Sequence, residues 1–134
     1  MIDARDIIDD AIDSLAVGKT SEARQRAVAS RAYYAAYHFL LSHACGQPFA
    51  VGTTGRKAGL HKGFIDWLYR SKEPSVLLVA HKLDSLFDNR IIADYKITKS
   101  FSAKTAQDSV DSASEIIDID LQSYNSILDK RTYP

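Results

Sequence analysis

Residues 21–44 constrain the fold more than any other stretch of this chain. Read at helical spacing, Ala27, Val28, Ala32, Ala35, Ala36, Phe39 and Leu40 leave the segment almost no polar side. A helix that is apolar nearly all round is a central, buried one, so other elements are expected to pack around it. Thr20 or Ser21 can cap its start, and Gly46 stands where it should end.

The remaining segments read as helices too. Residues 2–17 set Ala4, Ile8, Ala11, Ile12 and Leu15 on one face with aspartates opposite, and Gly18 follows as a stop. Residues 60–70 carry Leu60, Phe64, Trp67 and Leu68 as a core stripe. Pro74 suits the first turn of a fourth helix, which carries Leu77, Leu78, Ala80, Leu83, Leu86 and Phe87 to about Ile91. Residues 92–101 read as irregular. Ser102 then caps a long last helix in which Ala106, Val110, Ala113, Ile117, Leu121, Tyr124 and Leu128 keep helical spacing. Residues 46–59 hold four of the six glycines plus Pro48 and read as a loop. No segment alternates as a strand does. The expectation is an all-α fold: one domain over residues 1–134, built as a five-helix up-and-down bundle.

Composition bounds the setting. With 134 residues, 46% apolar and 25% charged, the chain can fill one core but not two. The first residues carry Asp3, Asp6, Asp9, Asp10 and Asp13 where a signal peptide would be basic. No apolar run reaches the roughly 18 residues of a membrane span, so no membrane is expected. Cys45 is the only cysteine, which excludes an internal disulfide and fits a reducing compartment; the cytoplasm is the expected location. The formal charge is zero but segregated: residues 1–18 carry −4, 19–104 carry +8 and 105–134 carry −4. Such a division fits a polyanion or an acidic partner at the middle, and equally fits termini that pack on the middle and neutralise it.

Side chains that bear chemistry are few. His38, His43, His61 and His81 have no partners at zinc-motif spacing, so neither a metal nor a cofactor is expected. The loop Gly52-Thr53-Thr54-Gly55-Arg56-Lys57 lacks the spacing and the preceding strand of a phosphate loop; with Lys62 it offers loose anion contact at most. The most distinctive stretch is Ser30-Arg31-Ala32-Tyr33-Tyr34-Ala35-Ala36-Tyr37-His38. There Arg31, Tyr34 and His38 share one helical face. A buried arginine on such a helix needs a carboxylate or several carbonyls, and Asp94 is a suitable partner for Arg31 by chemistry. The strip fits a structural polar network, and it fits a groove facing an anion or nucleotide.

The stretch from Ser30 to Leu40, reading SRAYYAAYHFL, resembles the signature helix of one prokaryotic branch of the HEPN superfamily, small proteins often encoded beside a nucleotidyltransferase. His61-Lys62-Gly63 resembles a helix start of that branch, and Arg90-Ile91-Ile92-Ala93-Asp94-Tyr95 resembles its R-x-x-A-D-Y segment, so the likeness spans roughly residues 1–125. It implies a helical bundle, commonly a homodimer, with a groove between helices. It also implies a place in toxin–antitoxin-like or defence systems. Many members are metal-independent ribonucleases with an R-x4–6-H motif, in which histidine moves a proton and arginine stabilises phosphorane charge. After Arg90 residues 91–96 contain no histidine, which departs from that motif; Arg31 with His38 and Arg56 with His61 meet the spacing elsewhere. The expected role is therefore binding of nucleotide or RNA, or partnership with a nucleotidyltransferase, through Arg31, Tyr34, His38, Arg90, Asp94 and Tyr95. The alternative is a metal-independent endoribonuclease using Arg31 with His38, or Arg90 with Tyr95. A structural dimer without ligand is the third reading.

Overall fold

The computed structural model of the chain describes residues 2–16, 21–45 and 60–119. They form five helices and, among the described residues, no strand: α1 (Ala4–Ala16), α2 (Glu22–Cys45), α3 (Leu60–Tyr69), α4 (Pro74–Tyr95) and α5 (Ala103–Ile117). The architecture is an all-α helical bundle. α2 is its axis, packed against α1, α4 and α5, while α3 lies on α4. Val28, Ala29, Ala32, Tyr33, Ala35, Ala36, Tyr37, Leu40 and Leu41 are all buried, which is what an axis apolar nearly all round has to do. Fully burying a side chain of the size of Leu or Phe contributes about 1.5–3 kcal/mol, so Tyr33, Leu40 and Leu41 on α2, with Ile8, Phe64, Ile65, Leu68, Leu83, Leu86 and Ile116 around it, contribute most to the core. Of the expected apolar set on this helix, Ala27 is exposed and Phe39 half-buried.

Local chemistry sets the helix ends. Asp3 accepts from the Asp6 amide and Asp6 from the Asp3 amide, each at 3.0 Å. This reciprocal cap starts α1 at Ala4 and not at Ile2. Ser21 Oγ accepts from the Arg24 amide at 3.2 Å and opens α2. Pro74 occupies the first turn of α4, where its missing N–H costs nothing. Ser102 Oγ accepts from the Thr105 amide at 3.1 Å and opens α5.

Four expectations need correction. α5 ends at Ile117, with Asp118 as its C-cap, where the spacing in the sequence runs on to Leu128. Ile12 (41% exposed) and Leu78 (57% exposed) lie outside the core; half-buried Ile7 and buried Val76 and Val79 occupy the packed faces instead. α3 stops at Tyr69, one residue short of the expected end. α4 runs four residues past Ile91, to Tyr95. Its reason lies in another helix: buried Arg26 of α2 donates to the carbonyls of Ile92 (2.9 Å), Ala93 (3.0 Å), Lys96 (3.4 Å) and Lys99. A cation satisfying the orphan carbonyls of a helix end stabilises that end twice, by hydrogen bonding and by the helix dipole. The loop 46–59, with Arg56 and Lys57, and the repeat positions Leu121, Tyr124 and Leu128 fall outside the described residues.

Candidate functional site

The α2 sequence places Tyr33, Tyr34, Tyr37 and His38 within six positions, so their rings emerge along one side over little more than a turn. α3 contributes His61 and Phe64 to the same region, and α4 contributes Phe87, Arg90, Asp94 and Tyr95. The rings pack closely: Tyr37 lies 4.4 Å from His61 between centroids, Tyr33 lies 5.6 Å from Phe87, and Tyr34 stacks with His38 at 6.1 Å. Burial rises from rim to floor. Tyr95 and His38 are exposed, Tyr34 and His61 half-buried, and Tyr33 and Tyr37 buried.

At the floor, the Tyr33 hydroxyl meets Nδ1 of His61 at 2.9 Å. Burial pushes the Tyr33 phenol well above its ordinary value, with Tyr37 adding to the effect, so the phenol keeps its proton and donates. His61 is pulled down to about 4, first by burial, then by the charge of Arg90 and by His38. It is therefore neutral near pH 7, accepts at Nδ1 and carries its hydrogen on Nε2. Burial lowers His38 as well. The site thus holds two neutral imidazoles beside one arginine.

Arg90 is only 9% exposed. Its Nε donates to Asp94 Oδ2 at 3.0 Å and its Nη2 to the Tyr34 hydroxyl at 2.6 Å, with the Tyr95 hydroxyl at 3.5 Å. The guanidinium lies 5.1 Å from the Tyr34 ring centroid and 5.3 Å from that of Tyr95. Ser30 donates to the same Asp94 oxygen at 3.1 Å, so that carboxylate is held from two helices. Among the described residues no acceptor meets Nη1 of Arg90. A guanidinium nitrogen that meets no protein acceptor can donate to one from outside. The Tyr34 hydroxyl, having accepted from Arg90, keeps its own hydrogen to donate. The site can therefore offer the arginine edge, the Tyr34 hydroxyl and the His61 Nε2–H to an oxygen-rich group.

Of the six residues expected to bind ligand, the fold brings together Tyr34, His38, Arg90, Asp94 and Tyr95. Arg31 is not among them. Its side chain is 52% exposed and pairs with Asp10 of α1 at 3.0 Å, so it is neither buried nor joined to Asp94. With Asp13, Ser14, Ala23, Arg24, Ala27 and Val28 it lines a separate groove between α1 and α2. Among the described residues the buried arginines are Arg26 and Arg90. His61, Tyr33 and Ser30 join the constellation from outside the expected set. The sequence signals for His61, its place in the His61-Lys62-Gly63 helix start and its spacing from Arg56, do not say where α3 packs. Among the described residues no group of histidine, cysteine and carboxylate side chains is placed to hold a metal ion. No helix described is long and apolar enough to cross a membrane.

Comparison with protein-family models, with curated proteins and with solved structures finds no match to the chain.

Proposed function

We propose that this chain is a HEPN-type helical module that binds a nucleotide or RNA at the Arg90 site, or partners a nucleotidyltransferase there, in a toxin–antitoxin-like or defence system. In this reading it is a cytoplasmic homodimer. The observation that carries it is the held but incompletely satisfied guanidinium: Nε and Nη2 of Arg90 are fixed by Asp94 and Tyr34, and Nη1 meets no acceptor among the described residues. A preoriented arginine edge beside a phenol hydroxyl and a neutral imidazole suits phosphate oxygens. Sequence likeness in the α2 and α4 stretches points the same way.

A second reading is a metal-independent endoribonuclease. It is favoured by one feature, the packing of His38 and His61 beside Arg90, which supplies from α2 and α3 the imidazoles missing after Arg90 in sequence. One experiment addresses both. Titration of the purified protein with ATP, AMP and a short mixed RNA in the presence of EDTA is expected to show binding that Arg90→Met abolishes, with the RNA intact. Equal binding by the parent and Arg90→Met, or none by either, would remove the reading. RNA cleavage that disappears in His61→Ala would replace it with the nuclease.

A further inference from the structure

Beyond the Arg90 site the chain leaves α4 through a tight turn, closed by the Lys99 amide donating to the Lys96 carbonyl at 3.0 Å. Ile97 on this turn is 73% exposed, and Tyr95 just before it is 67% exposed. Lys96 and Lys99 flank Ile97, both exposed, and neither ammonium has an ion-pair partner among the described residues. The turn is pinned from beneath. Arg26 holds the carbonyls of Lys96 and Lys99, and the Phe101 amide donates to Glu22 at 2.7 Å. Its exposed side chains are therefore presented by a fixed backbone, which lowers the entropy lost when a ligand binds.

Tyr95 joins this turn to the Arg90 site. The Arg90 guanidinium lies 5.3 Å from its ring centroid, so one face is occupied and the ring's exposure belongs to the rest. An exposed aromatic ring packed on a buried arginine, followed within four residues by two ammonium groups without ion-pair partners among the described residues, supplies the elements of a strand-tracking site. Bases stack on the ring without regard to sequence, and cations follow the phosphates. The Asp94 charge is balanced by the guanidinium it pairs with, and its Oδ2 is taken up by Arg90 and Ser30.

We infer that the surface from Arg90 across Tyr95 to the 96–99 turn is a track for a single-stranded nucleic acid of two or more nucleotides. One phosphate sits at the Arg90 edge, a base stacks on Tyr95, and the following phosphates lie against Lys96 and Lys99. The inference rests on the nucleotide- or RNA-binding reading of the Arg90 site and extends it from a single nucleotide to a chain.

The test is fluorescence anisotropy on the full chain with AMP, dinucleotide and octanucleotide probes, in RNA and DNA form, at several salt concentrations. The octanucleotide is expected to bind at least tenfold more tightly than AMP. The double variant Lys96→Gln, Lys99→Gln should reduce it to the AMP level while leaving AMP binding unchanged. Each phosphate contact contributes about 0.7 to the slope of log affinity against log salt for a single strand; removing both lysines should therefore lower it by about 1.4. Tyr95→Ala should weaken the oligonucleotide roughly tenfold. RNA and DNA bound alike would assign the track to the shared backbone and bases, and RNA alone to a contact with the 2′-hydroxyl. An octanucleotide bound no more tightly than AMP, with AMP binding still dependent on Arg90, would overturn the track and leave the parent reading standing. Length-dependent binding that ignores all three substitutions would overturn the track as well. Binding of neither probe would overturn both, and loss of self-association in Ile97→Ser under those conditions would make the turn a protein contact.

Discussion

Arg26 and Arg90 are each 9% exposed and each sits over an aromatic ring, yet the fold treats them differently. Arg26 donates to four backbone carbonyls and pairs with Glu22 at 3.8 Å. Arg90 is held by side chains, from Asp94, Tyr34 and Tyr95, and its terminal Nη1 meets no protein acceptor among the described residues, whereas both terminal nitrogens of Arg26 are engaged and only its Nε is without one. Carbonyls at a helix end are fixed by the backbone, so an arginine satisfied by them is committed to the fold. A guanidinium oriented by side chains and left with an open edge is oriented toward something else. Burial alone does not distinguish a structural cation from a functional one; the number and kind of its acceptors do.

The largest expected effect breaks that comparison directly. Arg26→Met leaves the carbonyls of Ala93 and Lys99 without the donor that Arg26 supplies and those of Ile92 and Lys96 with a backbone N–H alone, and is expected to cost on the order of 3 kcal/mol in urea denaturation. Arg90→Met exposes Asp94 and Tyr34 to water at a half-buried rim, and is expected to cost about 1 kcal/mol while abolishing binding. If the two variants lose equal stability, the division into structural and functional arginines is wrong.

This contrast also marks how far the sequence could be read. The five helices follow from apolar spacing and caps: Ser102 and Pro74 are where the chain itself says a helix begins. The end of α4 was not legible, because the residue that extends it, Arg26, lies 66 to 73 positions away and acts through carbonyls that no side-chain pattern advertises. Arg31 shows the same gap from the other side. Its spacing with Tyr34 and His38 was real, but helical spacing fixes a direction only to within a face, and the Asp10 carboxylate on α1 decided where the side chain went. Arg90, Asp94 and Tyr95 were visible together because they share one helix turn and a half. His61 was not visible as their neighbour, since that contact depends on how α3 packs.

The histidine at the floor sharpens the comparison through pH. Folding lowers His61 from its ordinary 6.5 to about 4, through burial, Arg90 and His38. The unfolded chain therefore takes up the proton first as pH falls. Stability contributed by neutral His61 is complete above about pH 6.5, declines as pH falls toward 4 and changes no further below that. The slope in this window is at most about 1.4 kcal/mol per pH unit for one proton. Other groups titrate there too, so the measurement is the difference between the parent and His61→Gln in urea midpoints from pH 7 to 4. Parallel curves would mean that burial and Arg90 together do not hold His61 neutral, and the site would lose its electrostatic basis. Tyr33→Phe removes only the hydroxyl that fixes the imidazole tautomer, and is expected to cost about 1 kcal/mol.

The smallest expected effect tests the boundary of the site. Arg31 pairs with Asp10 at 3.0 Å, with the two side chains 52% and 65% exposed. Exposed pairs of this kind contribute about 0.2–1 kcal/mol at most, and that contribution is further screened by salt. Arg31→Ala should therefore lower stability in urea denaturation by no more than about 0.5 kcal/mol and leave nucleotide and RNA affinity as in the parent. The result is informative because the spacing of the α2 stretch puts Arg31 on the same helical face as Tyr34 and His38. Unchanged affinity would confine the site to the side of α2 that faces α3 and α4. A tenfold loss would carry it round α2 to the groove lined by Arg24 and Arg31, and Arg90 would then be one of two cations reading the ligand instead of its single anchor.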